Sequence, residues 1–241
     1  MKQLFYLHLE MNITYLALGD SYTIGEGVLL SESFPYQTVQ LLRQSAVGVK
    51  NSRQGFEETP EAVENLVGGW QFNAPEIVAK TGWTTDELNA AIQQTTLLAQ
   101  YDIVSLLIGV NNQYRGRTAA EFKNEFTQLI QQAVAFAQNN PAKVFVLSIP
   151  DWSITPFAET PLPDGQGRDI EQIAREIDAF NAVCKKVSAE FLCTYLNIAD
   201  GQRGDTANDE FLAEDRLHPS GKEYAKWAEK LSTAIAAMLN V

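Results

Sequence analysis

Ser21 and His218 are the residues of this chain whose types and settings best suit covalent chemistry. The chain holds two histidines, and His8 lies in a short leader ahead of the first regular element, so an imidazole base has to be His218. Ser21 closes Gly19-Asp20-Ser21, directly after the apolar, β-prone run that begins at Ile13. Asp215 precedes His218 in Asp215-Arg216-Leu217-His218. A carboxylate holding one imidazole nitrogen leaves the other free to take a proton from a serine hydroxyl. Acyl transfer by such a serine also needs N–H donors aimed at the developing oxyanion. The N–H of Ser21 itself, Gly82 in Thr81-Gly82-Trp83-Thr84-Thr85, and the Asn111 side chain in Gly109-Val110-Asn111-Asn112 are candidates. Taken singly, each has a plainer reading: a helix cap for Gly-Asp-Ser, a capped loop for Asp-x-x-His, ordinary turn residues for Gly82 and Asn111. Their shared position, at the carboxyl ends of strands or just beyond, argues for a common site, because ligands of open α/β sheets bind at that edge.

The elements that must position them follow from the hydrophobic pattern. Ile13–Leu18, Glu76–Lys80, Ile103–Ile108, Val144–Ile149 and Phe191–Ile198 read as five strands. The near-continuous apolar character of the first, third and fourth marks buried parallel strands. Between them lie helical patterns. One starts at Ser33, with Pro35 in its first turn, and runs to about Gln44. Thr84 and Thr118 each stand three residues before a glutamate, as in a capping box. The first of these helices carries an apolar face reaching Leu98 and Ala99, and the second one from Phe122 to Ala137. Two more are expected from Ile170 to Val187 and from Ser220 to Met238. The alternation βαβαβαβαβα defines a single α/β domain with a doubly wound, parallel five-stranded sheet. Residues 45–75 carry scattered glycines and prolines and read as an irregular insertion, with a short helix expected at 60–66. Residues 1–10 read as a dispensable extension.

Composition narrows the function. Apolar residues make up 45% of 241, enough for one large core, and a net charge of −12 disfavours nucleic acid and anionic membranes as partners. No apolar run reaches the ~18 residues of a membrane span. The leader is interrupted by His8 and Glu10 and has no small-residue cleavage site, so the protein is expected to be cytoplasmic. Cys184 and Cys193 are expected to be reduced core thiols. The acidic stretch Asp200, Asp205, Asp209, Glu210, Glu214 and Asp215 lacks the spacing of a calcium loop, and Gly25-Glu26-Gly27 lacks the lysine of a phosphate loop. No metal or cofactor is expected. Trp83 and Trp152 follow the second and fourth strands, where they could wall an acyl or sugar pocket or simply cover the core. Arg115 and Arg117 could meet a polar part of the substrate or lie in a solvated turn.

At these residues the chain resembles the SGNH, or GDSL-type, esterase and lipase family. Gly19-Asp20-Ser21 matches its first motif, with Tyr22 in place of the usual leucine. Gly82 is placed like its oxyanion glycine, although Lys80 stands where an asparagine is often found. Gly109-Val110-Asn111-Asn112 is similar to its Gly-x-Asn-Asp, with Asn112 replacing the aspartate, and Asp215–His218 matches its closing Asp-x-x-His. The resemblance implies a flavodoxin-like three-layer α/β/α sandwich with strand order 2-1-3-4-5. It also implies metal-free hydrolysis of a small-molecule acyl ester, with Ser21, His218 and Asp215 as triad and Ser21, Gly82 and Asn111 as oxyanion donors. Activity should rise with pH through the histidine range, near ~7. Two other readings stay open: a carbohydrate O-deacetylase or thioesterase on the same site, and a non-catalytic binding module on the same scaffold.

Overall fold

The computed structural model describes residues 11–52, 70–161, 165–204 and 209–239. Strand β2 (Tyr15–Asp20) is an inner strand of a parallel five-stranded sheet, one in from its edge. It lies between β4 (Glu76–Lys80) and β5 (Ile103–Leu107), and β6 (Val144–Leu147) and β7 (Thr194–Leu196) follow beyond β5. Numbered within this sheet alone, the order is 2-1-3-4-5, as the family resemblance implies. Every residue of β2, β5 and β6 is buried, which requires cover on both faces and explains the unbroken apolar runs.

Helices supply that cover in two groups. Helix α2 (Phe34–Ser52) packs on the last helix, α8 (Gly221–Leu239); α3 (Thr85–Gln94), α5 (Ala119–Phe136) and α6 (Ile170–Glu190) pack in succession. The amphipathic spacing places the expected residues inward: Phe122, Phe126, Leu129 and Ile130 in α5, and Tyr224, Trp227, Leu231 and Ile235 in α8, are all buried. The Thr84/Glu87 and Thr118/Glu121 pairs form capping boxes at the starts of α3 and α5. Short helices α1 (Ser21–Ile24), α4 (Val110–Tyr114) and α7 (Ala199–Gly204) complete the set. Cys184 and Cys193 are buried free thiols, and burial pushes the Cys193 pKa up to about 11.

Several boundaries depart from the pattern. The first apolar run is two strands: β1 (Met11–Ile13) pairs with β3 (Trp70–Phe72) in a separate parallel ribbon, and the chain changes sheets at Thr14. Thr14 makes the joint, because its N–H and hydroxyl both bond the Asp102 carboxylate, at 3.1 and 3.0 Å. Helix α2 extends past Gln44 to Ser52, and β3 occupies residues expected to be irregular. The helix expected at 60–66, like the extension at 1–10, lies outside the described residues. Helix α3 stops at Gln94, and Leu98 is 51% exposed. Among the described residues no helix is long and apolar enough to cross a membrane.

Candidate active site

The sheet register brings the candidate residues to one edge. Gly19 of β2 aligns with Ala79 of β4 and Leu107 of β5, so the chain leaves β2 at Ser21 between the ends of two neighbouring strands. Gly82 lies just past one of those ends and Asn111 just past the other. At Ser21 the chain turns at once into α1. Asp20 caps this single turn, its Oδ1 accepting the Tyr22 N–H at 3.1 Å, and Gly25 closes it in the left-handed region with φ 79°. Gly19 admits the tight turn: a Cβ there would stand 2.1 Å from Thr23 Oγ1 and 2.4 Å from the Leu107 carbonyl oxygen. Ser21 opens the helix, so its own N–H is among those left free of intrahelical bonds. Burial raises the Asp20 pKa to about 7, against the opposing pull of the N–H groups of Tyr22, Gly109 and Asp20 itself.

His218 arrives from the far end of the chain. Its loop is closed by a bridge between Leu212 and Pro219 and by a bond from the Ala213 N–H to the His218 carbonyl at 2.8 Å. Within the loop, Asp215 Oδ1 accepts the N–H groups of Leu217 and His218, each at 2.9 Å. Its Oδ2 lies 2.5 Å from His218 Nδ1, and His218 Nε2 lies 2.9 Å from Ser21 Oγ. With Nδ1–H donating to the Asp215 carboxylate, Nε2 is left as the acceptor facing the serine hydroxyl, a tautomer that follows from these partners. Burial pushes the Asp215 pKa up, but its bonds to the ring and backbone of His218 and to the Leu217 N–H outweigh this and leave it below the ordinary carboxylate value. The Tyr22 ring stands 5.3 Å from that of His218, with Trp227 behind it at 6.2 Å. Apart from the unusual tyrosine itself, no residue pattern signals this aromatic backing.

The other two candidates meet each other. Lys80–Trp83 is a four-residue turn closed by the Trp83 N–H on the Lys80 carbonyl at 3.2 Å, with Gly82 at φ 84° in its third position, as a type II turn requires. That closure uses the Trp83 N–H and not that of Gly82. Asn111 lies on α4, and its Nδ2 donates to the Trp83 carbonyl at 3.0 Å. Its amide carries two hydrogens, so this bond orients the group and leaves one hydrogen unspent. Asn112 is buried beside it, accepting the Thr85 N–H at 3.1 Å and donating to Thr85 Oγ1 at 2.6 Å and to Glu125 at 3.3 Å. An amide suits this place, since it must both accept and donate.

The expected lining residues fall differently. Trp152 is 3% exposed, and its indole N–H donates to Gln113 Oε1 at 2.8 Å, so most of its ring is core. Trp83 is half-buried. Arg115 bonds the Gly82 carbonyl at 2.6 Å and Glu87 at 3.3 Å, and Arg117 pairs with Asp86 at 2.6 Å and Glu125 at 3.2 Å. In the acidic stretch, Asp209 pairs with Arg216 and Glu210 with Lys222, while Asp205 lies outside the described residues. Among the described residues no three or more His, Cys, Asp or Glu side chains are grouped to hold a metal ion.

The structure thus lines up a hydroxyl, an imidazole and a carboxylate at the carboxyl edge of a parallel α/β sheet. The model of the GDSL-like lipase/acylhydrolase family matches residues 17–226, and the chain belongs to that family. It is a carboxylic ester hydrolase by class. No curated protein sequence matches it. Among solved structures the chain is similar to a lipase/acylhydrolase from Enterococcus faecalis, with 18% identity over 93% of this chain and 96% of that one, TM-score 0.60. It is also similar to a putative GDSL-like lipase from Parabacteroides merdae, with 15% identity over 94% and 98%, TM-score 0.62. The acetylxylan esterase Axe2 from Geobacillus stearothermophilus shares 16% identity over 98% and 97%, TM-score 0.59. At these identities the likeness is one of fold.

Proposed function

We propose that the protein hydrolyses small or short-chain acyl esters through an acyl-enzyme on Ser21. The observation that carries this reading is the row Ser21 Oγ, His218 Nε2, His218 Nδ1 and Asp215 Oδ2, with contacts of 2.9 and 2.5 Å. His218 takes the Ser21 proton as Oγ bonds to the ester carbonyl carbon. The carbonyl π electrons move to oxygen, and the N–H groups of Ser21 and Gly82 and the Asn111 amide hold that charge. Collapse breaks the bond to the alcohol, which leaves with the proton from His218. Water then repeats the cycle on the acyl-enzyme and returns the free acid and Ser21. Asp215, favoured as its anion, holds the imidazole in orientation and balances its transient positive charge.

A fluorophosphonate probe tests the reading directly. Wild-type protein should be labelled and inactivated, and Ser21→Ala should be neither labelled nor active. A well-folded wild-type protein that resists the probe and leaves nitrophenyl acetate intact would instead fit the binding-module alternative. A second reading, a carbohydrate O-deacetylase, is favoured by the neighbours whose names are acetylxylan esterases. Faster release of acetate from acetylated xylan than from nitrophenyl acetate would support it, and preference for butyryl over acetyl esters would count against it.

A further inference from the structure

Glycine suits the Gly82 turn because the φ of 84° is strained for other residues; space is not the limit, since a Cβ there would find its nearest neighbour, Arg115 Nη2, at 3.8 Å. The same choice leaves this residue with no side chain to anchor. Such a half-buried glycine turn can then be fixed only through its backbone polar groups and its neighbours. Here two consecutive carbonyls are held, and by the same short segment. Asn111 Nδ2 takes the Trp83 carbonyl at 3.0 Å and Arg115 Nη2 takes the Gly82 carbonyl at 2.6 Å. The two residues are one helical turn apart, with Asn111 inside α4 and Arg115 capping its end, so they project along the same side of the segment. Arg115 is braced in turn by Glu87 at 3.3 Å, and Glu87 Oε2 accepts the Thr84 N–H at 2.9 Å at the start of α3. On the other side, the Thr81 hydroxyl donates to Glu26, in the loop that follows α1.

We propose that Arg115 is a positioning residue: by clamping the Gly82 carbonyl it holds the β4–α3 turn in register with α4, and so fixes the spacing between the Gly82 N–H and the Asn111 amide. This rests on the reading of those two groups as oxyanion donors, and it gives Arg115 a task other than contacting substrate. Its guanidinium donates to a protein carbonyl and a carboxylate, and a planar fork can satisfy both at once. Preorganised donors stabilise a transition state only while their geometry holds, and a misplacement of about 1 Å can lower a rate by about 10²-fold. The ester ground state depends far less on that geometry, so loss of the clamp should act on kcat.

The experiment compares wild type with Arg115→Ala, Arg115→Lys and Arg117→Ala on nitrophenyl acetate, together with inhibition by an alkylboronic acid as a tetrahedral mimic. Arg115 is 44% exposed at its side chain, so truncation opens no core cavity. Arg115→Ala should lower kcat by about 10- to 100-fold with KM within about twofold. Boronate affinity should fall by the same factor, and amide hydrogen exchange at Trp83, whose N–H closes the turn on the Lys80 carbonyl, should accelerate. Arg115→Lys should recover part of kcat, because an ammonium can still reach one carbonyl. Arg117→Ala, which removes a neighbouring cation that bonds Asp86 and Glu125, should stay within about twofold of wild type. A raised KM with unchanged kcat in Arg115→Ala would make the arginine a substrate contact and overturn the clamp. Unchanged kinetics, or an equal loss in Arg117→Ala, would also overturn it. Failure of the parent reading looks different: wild-type protein would not react with the fluorophosphonate at Ser21, and the clamp would fall with it.

Discussion

Asp20 gives a test of how the turn at Ser21 is held. Its carboxyl is fully buried, and burial raises its pKa from 3.8 to about 7. Between those values the folded protein binds more protons than the unfolded chain. The stability contributed by the protonated group is therefore complete below the unfolded value and is lost as pH rises towards the folded one. At about 1.4 kcal/mol per pH unit, the gap from 3.8 to about 7 corresponds to about 4 kcal/mol lost once the carboxyl is fully ionised. About 2.5 kcal/mol of this falls between pH 5 and pH 8. Asp20→Asn keeps a side-chain oxygen for the Tyr22 N–H but cannot ionise. Its stability relative to wild type should climb by about 2.5 kcal/mol from pH 5 to pH 8. Any fixed cost of the substitution cancels between the two pH values, so the climb isolates the ionisation. Urea unfolding of both proteins at several pH values measures it. Stability curves that run parallel across this range would refute the desolvation argument.

Two substitutions probe the site and its frame. Asn111→Ala should lower kcat by about 10²–10³ while leaving the circular dichroism spectrum unchanged; near-wild-type turnover would remove Asn111 from the oxyanion site. Gly19→Ala forces a methyl group against the Leu107 carbonyl, which is backbone and cannot rotate away. It should cost about 1–3 kcal/mol or more in thermal unfolding and lower activity with it. An unshifted melting midpoint would mean that β2 and β5 part more easily than the geometry indicates.

Much of the fold could be read from the sequence because its strongest signals are local. The Thr84/Glu87 and Thr118/Glu121 pairs mark helix starts with their own side chains, and all-buried strands such as Ile103–Leu107 carry unbroken apolar runs. The departures arise where a distant partner decides. Nothing in Ile13-Thr14-Tyr15 signals a change of sheet, because the cause is Asp102, 88 residues away. Ser33 reads as a cap, yet its hydroxyl donates back to the Leu30 carbonyl at 2.8 Å instead of accepting from the helix. The strand expected at Phe191–Ile198 shrinks to Thr194–Leu196, because Phe191 still caps α6 and Leu192 takes φ 61°. In the candidate site, residue types and strand ends pointed to Ser21, His218, Asp215, Gly82 and Asn111. The attachment of Arg115 to a backbone carbonyl had no sequence signature, since a solvated arginine in a turn looks the same.

The bond between Ser21 and His218 joins residues 197 positions apart, with Ser21 at the end of the inner strand β2 and His218 shortly ahead of α8. On the proposed mechanism, a ribosome presents the serine long before its base, and the nascent polypeptide stays chemically silent towards esters while it grows. On that proposal the same separation makes turnover a sensitive gauge of integrity: a molecule whose final helix has come loose loses the imidazole that faces Ser21 even if the sheet beneath survives.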